Sequence, residues 1–142
     1  VAHSNKARAL RPQLLFHYAA DLPVYGTSHL YQNNAEKTAL QDINNTFFAD
    51  IPWRHHGDDQ VWDEINNLQR EEAPYARFFA FGMDAYSVLP YLNYLKAHPG
   101  EFFSGYSGKL NIDSQGKVHR QLTLWEVNKG QVDLKPKIHL YQ

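Results

Sequence analysis

The chain has 142 residues, 43% of them hydrophobic and 14% aromatic. That is enough for one packed domain or part of one, and too apolar for a disordered segment. A formal net charge of -1 and the absence of cysteine exclude bulk attraction to nucleic acid or an anionic membrane, disulfides, thiol catalysis and cysteine-based zinc sites.

The start, Val1-Ala2-His3-Ser4, reads as the tail of a strand entering a helix. No signal peptide or lipobox opens the chain, so a fragment without its natural N-terminal part is expected. Ser4 is a suitable N-cap for Asn5 to Leu10. Pro12 predicts a kink or a fresh helix start, with Leu14, Leu15 and Tyr18 on the buried side. Asp21-Leu-Pro ends that helix. Leu22 to Ser28 reads as a short buried strand, with Gly26-Thr-Ser-His29 at its C-terminal end. The polar stretch Asn33 to Asn45 predicts a surface loop or weak helix. Thr46 to Ile51 is the next strand, stopped by Pro52-Trp53. Arg54 to Asp59 is a polar loop. Val61, Trp62, Ile65 and Leu68 then recur at helical spacing, with Asp58 or Asp59 as cap.

Pro74 to Phe81 opens the longest helical pattern. Phe78, Gly82, Ala85, Tyr86, Leu89 and Leu92 follow a 3.6-residue period, which puts them on the buried face. Pro90 predicts a kink, and His98-Pro-Gly100 ends the pattern. Leu110 and Ile112 alternate with polar residues as in a half-buried strand. Asp113-Ser-Gln-Gly116 supplies a turn, and Val118, Leu122 and Leu124 return a second apolar face. Trp125 to Val127 follows, with a short hairpin turn at Asn128-Lys-Gly130. Strands alternating with helices argue for the α/β class: a mainly parallel sheet flanked by helices, closed by an antiparallel hairpin. No apolar run is long enough to span a bilayer, and no internal repeat or interdomain linker is visible.

Few constellations carry chemistry. His55-His56-Gly-Asp58-Asp59 has metal-binding residue types, but adjacent histidines do not easily face one ion, and an aspartate is needed as a cap. Ser28 beside His29 lacks a G-x-S-x-G elbow and an orienting acid. Position is more informative. In open α/β sheets ligands sit outside the carboxyl ends of strands. Thr27, Ser28 and His29 lie there, as do Pro52 and Trp53 after the next strand. These five are the candidates for lining a cleft between two lobes. Tyr86 is expected in the core, and Asp84 as a solvated group or a tie to a neighbouring loop. The aromatics Phe78, Phe79, Phe81, Tyr91 and Tyr94 exceed what one buried face needs, so part of them suits a contact surface. The arginines are dispersed and no phosphate loop or basic stripe exists, which argues against nucleic-acid binding.

The order of elements, with Asp84-Ala-Tyr86 on the long helix and Gly105 to Gly116 as a hairpin, resembles type I periplasmic-binding-protein folds. More narrowly, Ala9 to Tyr25, Thr27-Ser-His-Leu-Tyr31, Asp50-Ile-Pro-Trp53 and Phe81-Gly-Met-Asp-Ala-Tyr86 resemble the LpoA family, also called LppC or YraM. The resemblance covers nearly the whole chain apart from residues 33–45 and the last few. It implies that residues 1–142 are the C-terminal part of a two-lobed binding-protein-like domain. It also implies a non-enzymatic outer-membrane lipoprotein on the periplasmic side. Its partner would be a class A penicillin-binding protein of the 1A type, activated by contact to promote peptidoglycan synthesis. Peptidoglycan itself is a further candidate partner. No cofactor or metal is implied, and membrane contact would come only through a lipid anchor absent from this chain. Loops 29–45 and 54–60 are candidate docking elements. Two rivals are a periplasmic solute-binding protein with a small ligand in the interlobe cleft, and an enzyme using Ser28 and His29 or His55 and His56.

Overall fold

The computed structural model describes residues 4–31, 37–55, 60, 63–64, 67 and 75–135. Several expectations lie outside these residues: the strand tail at 1–3, the first part of the stretch from Asn33, the loop at 56–59 and the tail beyond 135. So do the apolar positions Val61, Trp62, Ile65 and Leu68. Gln60, Asp63, Glu64 and Asn67 do have helical backbone and are exposed, as the polar side of that segment should be.

The chain forms two compact units, Val1–Asp50 with Leu124–Gln142, and Ile51–Thr123. The first is built on a four-stranded sheet in the order β1-β2-β6-β7. Its strands are β1 (Val24–Thr27), β2 (Thr46–Asp50), β6 (Thr123–Asn128) and β7 (Gln131–Leu134). β1 and β2 run parallel, whereas β6 and β7 are antiparallel. The class is α/β as expected, but the sheet is mixed, with parallel pairing at β1–β2. Alternation makes β2 bury Thr46, Phe48 and Asp50 on one face. Phe48 and Val127 are fully buried and join Ala7, Leu30, Leu40, Ile43 and Trp125 in one core. The β6–β7 turn at Asn128-Lys-Gly130 forms as read. Lys129 (φ 49°) and Gly130 (φ 75°) are both left-handed, the signature of a type I′ hairpin. Gly130 is also required sterically, because a Cβ there would lie 2.8 Å from Lys37 Cγ.

Helix α1 spans Ser4–Phe16 and runs through Pro12 without a break in its bounds. It ends earlier than Asp21. Ala19 N–H donates to Leu14 O at 2.8 Å and Tyr18 N–H to Leu15 O at 3.1 Å, with Tyr18 at φ 57°. That is a Schellman-type stop with a tyrosine where glycine is usual. Leu15 and Tyr18 are exposed, and Leu14 is only half-buried. The helix packs instead through Ala7 and Arg11. Buried Arg11 donates to three backbone carbonyls, Ala20 O at 2.9 Å, Asn44 O at 3.1 Å and Leu22 O at 3.2 Å. A guanidinium whose three nitrogens each donate to a carbonyl can be buried where a bare charge could not. β1 is shorter than the expected Leu22–Ser28 strand, and only half-buried, because it lies at the end of the sheet. The short helix α2 (Lys37–Gln41) occupies part of the polar stretch and buries Leu40.

The second unit contains helix α3 (Ala76–Ser87), a 3-10 turn at Leu89–Tyr91, helix α4 (Leu92–Ala97) and a separate antiparallel sheet. That sheet has the order β3-β4-β5, with β3 Phe103–Gly105, β4 Gly108–Ile112 and β5 Val118–Gln121. Pro90 has no N–H to continue the helix, and the expected break falls there. β4 alternates as read, burying Leu110 and Ile112. β5 does not: it is exposed throughout, and Val118 and Leu122 stay outside. A strand at the end of a three-stranded sheet has fewer neighbours to cover it.

The largest departure concerns α3. Its buried positions are Ala76, Ala80 and Asp84, continued by Val88 in the next turn. Phe78, Phe81, Tyr86 and Leu89 point to solvent at 73, 59, 79 and 55% exposure. Tyr86 is therefore not a core residue. Both faces of this helix carry 3.6-residue spacing, and the face turned inward is the one of Ala76, Ala80 and Asp84.

A candidate functional pocket walled by an aspartate-held turn

Trp53 sits in the 3-10 turn Pro52–His55 that follows β2. It is buried in a cluster with Ile51 and Ala80, flanked by Met83 and Tyr106. Its ring meets that of Tyr106 edge-on at 5.6 Å, and its backbone N–H donates to the Tyr106 backbone carbonyl at 3.4 Å. Tyr106 is held in turn by Asp84. The Asp84 carboxylate accepts the N–H of Tyr106 and the N–H of Ser107, both at 2.7 Å, and also the Ser107 hydroxyl. Asp84 and Ser107 are buried. A carboxylate buried against two aligned amides and a hydroxyl has its lone pairs used, which is what makes its burial tolerable. Gly105 completes the arrangement. A Cβ there would stand 2.5–2.6 Å from the Asp84 carboxylate, so only glycine lets the turn reach it.

This turn walls an open pocket of about 430 Å3 lined by Pro52, Trp53, Ser104, Gly105, Tyr106, Gly108, Lys109 and Thr123. Two of the five predicted site residues, Pro52 and Trp53, belong to it. The aspartate that holds its wall, expected either as a solvated group or as a tie to a neighbouring loop, is the tie. Its donors, more than 20 residues downstream, carry no local signal that names them. The pocket offers the hydroxyls of Ser104 and Thr123, the Lys109 amine and aromatic walls. These groups can hold a ligand by contact; they do not form a nucleophile, base and orienting acid.

The other three predicted residues lie in the first unit. Thr27 ends β1, exposed, beside Ala49 of β2 in register. Its side chain makes no capping bond to the following turn. Ser28 and His29 form that 3-10 turn, half-buried and exposed respectively, and Leu30 anchors it in the core at 4% exposure. Gly26 makes room: a Cβ would lie 2.6 Å from Leu30 Cδ1. The side chains of Arg54 and His55, and all of residues 56–59, lie outside the described structure. Among the described residues no three histidine, cysteine, aspartate or glutamate side chains are grouped to hold a metal.

With this geometry in place, comparison with known proteins is direct. The family model described as "LppC putative lipoprotein" matches residues 1–130. The chain belongs to the LppC family. A relative from Vibrio antiquarius, "Penicillin-binding protein activator LpoA", is 28% identical over 124 residues, covering 87% of this chain and 21% of the relative. The C-domain of Haemophilus influenzae LpoA (YraM), described as a regulator of PBP1A, superposes with a TM-score of 0.81 at 22% identity. That match covers 95% of this chain and 43% of the solved one. A Chromobacterium violaceum chain described as a "putative branched-chain amino acid ABC transporter" matches at TM-score 0.54 and 26% identity, over 86% of this chain and 38% of its own length. The fold is that of part of the LpoA C-domain, within the periplasmic-binding-protein-like class. The chain spans about a fifth of the length of the curated LppC-family relatives it matches. No helix among the described residues is long and apolar enough to cross a membrane.

Proposed function

We propose that this chain is the C-terminal stretch of an outer-membrane lipoprotein that faces the periplasm and activates a class A penicillin-binding protein of the 1A type. Residues 1–142 form part of a two-lobed binding-protein-like domain. The role is non-enzymatic: contact with the synthase, and with peptidoglycan as a further candidate, promotes cell-wall synthesis. The observation that carries this reading is the match over 87% of the chain to a relative named "Penicillin-binding protein activator LpoA". Activation by contact requires tighter binding to the active conformation of the synthase than to the inactive one. Mixing the full-length protein with a purified class A synthase should raise glycan-strand or cross-link output several-fold. Unchanged output would overturn the proposal.

The solute-binding alternative draws on the pocket beside Trp53 and on the fold shared with the Chromobacterium protein. It is the less supported reading, because the curated relatives are named penicillin-binding protein activators. Thr27, Ser28 and His29 in one unit, and Pro52 and Trp53 in the other, are the candidate ligand-facing residues.

A further inference from the structure

Strand β5 ends the three-stranded sheet of the second unit. Its neighbour β4 is paired on both sides, whereas β5 pairs with β4 alone among the described residues. The Gln121 carbonyl points back at β4, since a Cβ on Gly108 would meet it at 2.5 Å. By antiparallel alternation Val118 and Arg120 then turn their N–H and C=O groups outward. Among the described residues no other element takes up those groups. All of β5 is exposed, as is Leu122 after it. An open row of this kind is a template for one more strand.

Charge decides which strand fits. From Gly108 to Leu122 the sequence carries Lys109, Lys117, His119 and Arg120 against one acid, Asp113. That acid is already tied to His119 at 2.8 Å. Lys109, Lys117 and Arg120 have no ion-pair partner among the described residues. The chain as a whole has a formal net charge of -1, so the positive excess is local to this hairpin. Edge charge of one sign repels a second copy of the same strand, a common guard against self-association. The same charges favour an acidic strand, because opposite charges across a strand pair stabilise it and like charges oppose it. Val118 and Leu122 add apolar contact beside the charged positions. An extended segment with acidic side chains opposite Arg120 and near Lys117, and an apolar one opposite Val118, satisfies this edge.

We infer that the outer edge of β5 is the docking site for the synthase, and that it takes up an extended, acid-rich segment of that protein as an added strand. This inference rests on the activator reading and names the surface and the chemistry through which it works.

The test uses the full-length protein and a purified class A synthase, with the activator concentration for half-maximal stimulation as the readout. Lys117→Glu combined with Arg120→Glu should raise that concentration about tenfold, with the thermal midpoint unchanged. Lys6→Glu combined with Lys96→Glu changes the net charge equally at exposed positions off the hairpin and should have no effect. A second pair of variants separates strand pairing from charge. Val118→Pro removes an outward N–H at the first position of the strand, where proline is tolerated, and should impair stimulation well beyond Val118→Ala. Stimulation by all of these variants as by the unaltered protein would overturn the inference. So would a loss with the glutamates but equal behaviour of Val118→Pro and Val118→Ala, which indicates a charge contact without an added strand. A change in the protein's own oligomeric state with stimulation intact would assign the edge to a second copy and also overturn it. No stimulation by the unaltered protein would remove the activator reading, and this inference with it.

Discussion

Two aspartates organise two turns in the same unit, and they differ in nearly everything except chemistry. Asp113 Oδ1 accepts the N–H of Gln115 at 3.0 Å and of Lys117 at 2.9 Å, while Oδ2 pairs with His119 Nε2 at 2.8 Å. All its partners lie within six residues, on an exposed hairpin tip. Asp84 also accepts two backbone amides, but it is buried, and its partners lie 22 and 23 residues away on another element. One carboxylate shapes a local turn that water could also satisfy. The other joins α3 to the β3–β4 turn and leaves unpaired buried donors if removed. The same hydrogen bonds should therefore differ several-fold in their effect on stability.

The largest effect is expected at Asp84. Asp84→Ala strands the Tyr106 and Ser107 amides in the interior and should cost about 3 kcal/mol or more, read from urea unfolding. A loss as small as that of an exposed turn residue would break the contrast. Next comes Gly105→Ala, which forces a methyl onto the carboxylate and should cost about 1–3 kcal/mol. Combining the two sharpens the comparison. With the carboxylate gone, the added methyl has room, so Gly105→Ala in the Asp84→Ala background should cost clearly less than alone. Strict additivity would mean that the clash is relieved elsewhere.

The smallest effect belongs to Asp113. Its pKa is held below the ordinary carboxylate value, first by the His119 side-chain hydrogen bond and then by the Lys117 amide. A depressed carboxylate pKa stabilises the fold above the unfolded-state pKa, and that contribution is lost as pH falls through the lower folded value. Asp113→Ala should thus lower the midpoint slightly at neutral pH and not at all in strong acid. His119→Ala should move the Asp113 titration, followed by NMR, back toward the ordinary carboxylate range. A titration that stays where it was would place the cause in the backbone amides.

This contrast also explains what could be read before the structure. The Asp113 to Gly116 turn and the Asn128-Lys-Gly130 hairpin were predictable because their determinants sit within a few residues. Gly116 takes a left-handed φ of 83°, as that turn requires. Strand β2, the alternation of β4 and the break at Pro90 are equally local. The face of α3 was not. Hydrophobicity alone puts Phe78 and Tyr86 inside, whereas close packing selects Ala76 and Ala80, and only the distant turn makes Asp84 an inward residue. Arg11 was hidden for the same reason, since its three carbonyl partners come from two separate segments. Of the candidate site, Pro52 and Trp53 could be placed because strand ends are visible in sequence. The pocket wall, brought by Gly105 and Tyr106, depends on tertiary contact.

The proposed activation works by contact rather than chemistry. Its most direct test is synthesis by a purified class A penicillin-binding protein, measured as glycan-strand length and cross-linking, with and without the full-length form of this protein. The expected result is a saturable rise in output with activator concentration and no product from the activator alone. A flat response, or turnover of cell-wall substrate by the protein without the synthase, would contradict it.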